Sequence, residues 1–147
     1  MALPELLQFD TEEEYKQHYV KNYCEAGPIF TFDRIPVKFF EDRFEHAFYQ
    51  RTHKSWKAEK DRLDIERAER MDWIKHVLQD PSIIPRKGYD KSNGSYDNSR
   101  RVAFLTEENY LVVIYINKRG AGKFITAFLV DNEETAEKIR SGPLWER

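Results

Sequence analysis

Tyr110-Leu111-Val112-Val113-Ile114-Tyr115-Ile116, followed by Asn117, is the stretch whose reading decides the fold. It is the most continuously apolar run of the chain. Its β-branched and aromatic residues suit a strand buried within a sheet. Residues 100–105 and 123–130, on either side of it, have the same character. Glu107-Glu108-Asn109 and Lys118-Arg119-Gly120-Ala121-Gly122 separate the three, and both carry turn-forming residues. The pattern predicts a three-strand antiparallel meander with residues 110–116 in the centre. Residues 83–89 are expected to add a strand before it, and 90–99, with Gly94 and several Asn and Ser, read as a loop.

The first half reads differently. Residues 10–23 begin acidic and end basic, as a helix dipole favours. Thr11 is a candidate cap with Glu14 three residues on, and Gly27-Pro28 stops the segment. Residues 29–32 and 35–39 flank Asp33-Arg34 as a hairpin or two extended pieces, with Pro36 expected to keep the second at an edge. Phe40, Phe44, Ala47 and Phe48 share a helical stripe over 40–50. Residues 51–62, with Lys54, Lys57 and Lys60, read as a solvated connection. Residues 64–79 form the clearest helix, ended by Asp80-Pro81. Asp131 is the expected cap of a last helix over 131–140. Helices, then a meander, then a helix predict an α+β domain over residues 1–147. N-terminal helices would pack on a roughly four-stranded antiparallel meander.

Length and composition narrow the classes. A chain of 147 residues, 40% hydrophobic and 14% aromatic, with 6 Gly and 6 Pro, suits one folded domain with its own core. The charged fraction is 34%, yet the net charge is only −2, so any contact with a polyanion needs a local basic patch. Cys24 is the single cysteine, which excludes an internal disulfide and a thiolate zinc site within one chain. It reads as a structural thiol. No apolar run approaches the length of a membrane span, and Met1-Ala2-Leu3-Pro4-Glu5 lacks the features of a signal peptide. The expected setting is cytoplasmic, with delivery into a target cell or attachment to a larger phage protein also open.

Five residues are candidates for chemistry. On a single helical wheel over 64–79, Arg67 and Arg70 fall on the stripe of Met71, Ile74, Val77 and Leu78. Cations turned inward need anions. They either form internal ion pairs, for instance with Glu66 or Glu45, or line an anion site suited to phosphate. His46 points away from the Phe40/Phe44/Phe48 stripe and is either a surface histidine or an acid–base group. Lys123 and Thr126 lie on one predicted strand. Strict alternation puts them on opposite faces, and only a bulge or a strand end would unite them. His18, His53 and His76 have weaker claims. No two histidines stand four apart with a carboxylate between them, so no metal site is expected. Phosphate-binding glycine loops and nucleophile elbows are absent from the sequence.

Three blocks carry a resemblance. They run from Phe30-Thr31-Phe32-Asp33 to Phe44-Glu45-His46-Ala47-Phe48, then Glu66-Arg67-Ala68-Glu69-Arg70-Met71-Asp72-Trp73-Ile74, then Lys123-Phe124-Ile125-Thr126-Ala127-Phe128. In this order the chain resembles the phage-associated branch of the barnase–EndoU–colicin–RelE-like (BECR-fold) nucleases, found in phage head-morphogenesis proteins and mobile-element toxins. The resemblance implies a compact fold of helices and four strands. It also implies cofactor-free ribonuclease activity, with tRNA a possible target and an immunity or antitoxin protein a possible partner. It points to His46, Arg67, Arg70, Lys123 and Thr126 as the site.

The expected mechanism is metal-independent attack by the RNA's own 2′-OH, leaving a 2′,3′-cyclic phosphate. His46 would serve as general acid or base, and Arg67 or Arg70 would stabilise charge on the phosphorane. Thr126 would hydrogen-bond a phosphate oxygen and Lys123 would attract the backbone. The alternative is a non-catalytic structural or interaction module of a phage or mobile element on the same fold.

Overall fold

The computed structural model describes residues 3–50, 62–90, 95–96 and 101–145. In chain order its main elements are α1 (Glu12–Tyr19), β1 (Ile29–Phe30), β2 (Pro36–Lys38), α2 (Arg43–Phe48), α3 (Ile65–Glu69) and α4 (Met71–Leu78). There follow β3 (Arg86–Lys87), β4 (Arg101–Leu105), β5 (Tyr110–Ile116), β6 (Gly122–Leu129) and α5 (Glu133–Arg140). The fold is mixed α+β. Residues 51–61, with His53 and the lysines expected in a solvated connection, lie outside the described residues. So does most of the loop expected over 90–99, within which Tyr89–Asp90 pairs with Ser95–Tyr96.

The main sheet has six strands in the order β1-β2-β6-β5-β4-β3. This corrects the expectation of four antiparallel strands. β5 runs antiparallel to both of its neighbours, β4 and β6. The β1–β2 hairpin adds to the far edge of β6, where Val37 pairs with Gly122 and Lys38 with Lys123 in parallel. β2 is therefore an interior strand, against the edge position expected from Pro36. Proline is tolerated because it is the first residue of the strand, where a missing N–H matters least. Gly122 makes the junction possible: a Cβ there would lie 3.1 Å from a Val37 methyl and 3.3 Å from the Pro36 carbonyl.

The two faces of the sheet are dressed differently. On the inner face Val102, Phe104, Tyr110, Val112, Ile114, Ile116, Phe124 and Ala127 are buried beneath the N-terminal helices. Full burial of each large apolar side chain contributes about 1.5–3 kcal/mol. The alternate residues Ala103 and Leu111 pack on the outer face with Ala136 and Ile139 of α5. That helix is capped by Asn132 rather than Asp131, because the Asn132 side chain accepts from the N–H groups of Glu134 and Thr135.

The helix expected over 64–79 is broken. Arg70 leaves helical geometry (φ −98°, ψ 13°) and divides α3 from α4. The carbonyls needed to continue the helix are drawn to distant partners: Leu7 N–H donates to Glu69 at 2.8 Å and the Tyr110 hydroxyl to Arg70 at 3.3 Å. The helix expected over 40–50 shortens to Arg43–Phe48, and Tyr49–Gln50 pairs instead with Arg62–Leu63. The 10–23 helix is α1 plus a π-helical turn over Val20–Cys24. Its tyrosines tie the layers together. Tyr23 donates its hydroxyl to the Met71 carbonyl at 2.7 Å and Tyr19 to that of Phe40 at 2.8 Å.

Candidate functional site: a cationic row on the outer sheet face

The register of four strands sets Lys38, Lys123, Tyr115 and Arg101 side by side. Paired residues point to the same face, and Lys123, Arg101 and Lys38 are all exposed. Three strand spacings make the row about 14 Å long. Phe40 continues the same face beyond Lys38. The ammonium groups of Lys38 and Lys123 lie over its ring, at 5.3 and 5.2 Å from the centroid. Phe40 keeps 38% and Tyr115 37% of its surface exposed. The six strands contain Lys38, Arg86, Lys87, Arg101 and Lys123, and no aspartate or glutamate. A chain that is slightly acidic as a whole thus carries a basic sheet.

The hairpin beyond the row adds exposed Lys118 and Arg119. Asn117 shapes that turn by accepting from the N–H groups of Arg119 and Ala121 at 2.9 and 3.0 Å. Gly120 supplies the positive φ of 84° that the reversal requires.

A β-bulge resolves the face of Thr126. Phe124 pairs with Ile114 and Thr126 with Val113, so Ile125 is the extra residue. Lys123 and Thr126 consequently share the outer face, which strict alternation forbids. The bulge also exposes the Ile125 carbonyl to α2, where Arg43 donates to it from Nη2 at 2.6 Å. The Arg43 Nε is buried without a hydrogen-bond partner, and no carboxylate lies within ion-pair distance of this guanidinium among the described residues. Burial lowers its pKa from the usual value, and nearby Arg101 adds to that, against Asp42. It remains a cation at neutral pH.

His46 is exposed and stands three residues after Arg43, hence on the neighbouring position of the same flank of α2. Phe44, Ala47 and Phe48 occupy the buried side of the helix, and Arg43 is the residue that reaches β6. Arg43 reaches the bulge through the Ile125 carbonyl, and Thr126 and Lys123 share the outer face beside it, while His46 is exposed on the side of α2 away from Phe44, Ala47 and Phe48.

Of the two arginines singled out in the sequence, Arg70 is held elsewhere, and Arg67 lies over Phe128, two residues along β6 from Thr126 on the same face. Arg70 pairs with Glu69 at 2.9 Å, donates to the Glu66 carbonyl at 2.7 Å and lies 5.2 Å over Trp73. Only 15% of its side chain is exposed. Because the helix breaks at this residue, a single wheel misplaces it. Arg67 pairs with Asp64 at 3.5 Å, donates to the Ala47 carbonyl at 3.3 Å and stacks 4.7 Å over Phe128. Phe128 opposes Leu111 while Lys123 opposes Tyr115, so Phe128 stands about 13 Å along the sheet from Lys123. The internal ion pairs therefore form, with Asp64 and Glu69 rather than Glu66 or Glu45.

His18 bonds Asp72 at 2.8 Å, and His76 has a buried Nε2 without a partner on a helix away from the row. Burial raises the Cys24 thiol to about 11, which keeps it protonated and unreactive at neutral pH. Among the described residues no cluster of three or more His, Cys, Asp or Glu could hold a metal ion. None of their helices is long and apolar enough to cross a membrane.

Sequence reading missed Lys38, Phe40, Arg43, Arg101 and Tyr115 as site residues. A usable signal existed for two of them: Tyr115 and Arg101 lie on predicted strands at positions that would otherwise be apolar. Lys38, Phe40 and Arg43 gain meaning only from the parallel β2–β6 contact and the bulge. No protein-family model matches this chain, and no curated protein or solved structure matches it.

Proposed function

We propose that this chain is a metal-independent endoribonuclease that holds RNA phosphates along the Lys38–Lys123–Tyr115–Arg101 row and cleaves beside the bulge. The observation that carries the reading is the row itself. Like charges set directly opposite across a sheet destabilise it. Lys38 and Lys123 nonetheless pair, with Arg101 on the same line and no strand carboxylate to offset them. An anionic polymer neutralises such a row by displacing its counterions.

Cleavage uses the 2′-OH of the RNA as nucleophile, so the protein need supply only proton transfer and charge stabilisation. His46 acts as general acid or base. Arg43 takes the role first expected of Arg67 or Arg70. It has no carboxylate partner among the described residues, and a guanidinium fits two phosphate oxygens at once. Thr126 donates its hydroxyl to a phosphate oxygen, and Lys123 attracts the backbone. The resemblance to BECR-fold nucleases points the same way, and it implies an immunity or antitoxin partner that would cover this face. One observation favours a non-catalytic module instead: Arg67 and Arg70 are both tied to carboxylates.

Incubation of total RNA with the protein in excess EDTA separates these readings. Cleavage is expected to persist and to leave 2′,3′-cyclic phosphate ends. His46→Ala should slow it by roughly 10²–10⁴-fold, and Arg43→Lys should slow it with the melting temperature little changed. Cleavage that depends on added Mg²⁺ or Zn²⁺ would end the metal-independent mechanism. RNA binding without cleavage by the parent protein selects the module. Neither binding nor cleavage rejects both.

A further inference from the structure

We infer that the outer face is a stacking platform for unpaired bases, so that its substrate class is single-stranded rather than duplex RNA. This rests on the proposed reading of the row as an RNA site and adds what kind of RNA it takes. The observations are the rings rather than the charges. Phe30, Phe40 and Tyr115 all belong to the outer face. Phe30 pairs with Pro36, two residues before Lys38 on the same side of β2, and Tyr115 lies within the row. Phe30 is 50% exposed, more than either other ring. Large aromatic rings left open on a sheet face, among lysines and an arginine, form the combination that binds single strands. Stacking supplies sequence-tolerant contact with bases, while the cations follow the backbone. Duplex bases have no free faces to offer and present only their phosphates.

The structure also fixes the platform. The Tyr19 hydroxyl holds the Phe40 carbonyl at 2.8 Å, which anchors this ring's backbone to the core although its side chain is exposed. Lys38 and Lys123 rest over that ring. An incoming base takes the ring face from an ammonium, and the flexible lysine swings to the adjoining phosphate. One event therefore makes the stacking contact and the charge contact together.

Fluorescence anisotropy with a labelled mixed-sequence 2′-O-methyl RNA tests this, because the probe lacks the attacking hydroxyl and stays intact. The same probe annealed to its complement is the duplex arm. The parent protein should bind the single strand about 10-fold more tightly than the duplex. The double variant Phe40→Leu/Tyr115→Leu keeps apolar volume but loses both π faces. It should weaken single-strand binding by about 10-fold, erase the preference and leave duplex binding and its salt dependence unchanged. Tyr115→Phe keeps the ring and should keep the single-strand preference. Equal affinity for both probes, or a preference that survives the double leucine variant, overturns the inference while leaving RNA binding in place. Binding of neither probe by the parent overturns the inference together with the function it rests on.

Discussion

The outer face of the sheet has two ends built on the same strands. At one end Ala103, Leu105, Leu111 and Phe128 pack with Ala136 and Ile139 of α5. At the other, Lys123, Tyr115 and Arg101 stand in the same alternating positions, with no described helix over them. On β5 alone, exposure on this face rises from 6% at Leu111 to 37% at Tyr115. One strand thus serves as buried core and as open surface within a few residues. What differs is the neighbour above the sheet. The bulge at Ile125 lies at the boundary, where it turns Thr126 outward and offers a carbonyl to Arg43.

The closed end should prove structural and the open end dispensable for stability. Leu111→Ala removes a buried side chain from beneath α5 and is expected to cost about 2–4 kcal/mol in a denaturant melt. A loss under 1 kcal/mol would mean that α5 adds little to the fold. Alkaline pH attacks the inner face next. Burial raises the pKa of Tyr19, Tyr23 and Tyr110, with Asp72 adding to the rise at Tyr23. These hydroxyls stay protonated in the folded chain while the unfolded chain ionises near pH ~10. The unfolded state then binds fewer protons, so stability should fall as pH rises above ~10, by about 1 kcal/mol per pH unit for each tyrosine. A melting temperature that is flat between pH 9 and ~11 would contradict this.

Arg70→Ala should cost about 2 kcal/mol, from the Glu69 pair and the Trp73 contact, and leave RNA handling intact. If it folds as well as the parent and loses cleavage, Arg70 returns to the site. The smallest effect on stability belongs to the open end. Lys123→Glu should change the melting temperature by little, since it relieves the pairing with Lys38, yet weaken RNA binding by roughly 10-fold. It should also flatten the salt dependence of binding. Unchanged affinity would remove the row from the binding surface.

Much of this was legible in the sequence, for identifiable reasons. Strands β4, β5 and β6 announce themselves because β-branched and aromatic residues run between clear turn signals, and local chemistry decides them. Lys123 and Thr126 could be named but not placed together, because Ile125 looks like any other strand residue and nothing in its identity marks a bulge. The break at Arg70 was invisible for a related reason. No glycine or proline stands there, and the competing partners, Leu7 and Tyr110, come from far along the chain. Arg43 was overlooked because its significance depends on meeting the Ile125 carbonyl. Local propensity finds elements, and the site is made where elements from opposite halves of the chain meet.

The parallel seam between β2 and β6 has a consequence for the timing of synthesis. Lys38 emerges well before Tyr115, Lys123 and the bulge, and Gly122 must dock against Val37 before the row exists. Contacts so distant in sequence form late, after the loop between them has closed. The cationic row therefore cannot exist until β6 has been made and has docked on β2. The order of strands along the gene thus makes the row a late feature of the fold, one that no fragment lacking β6 can display.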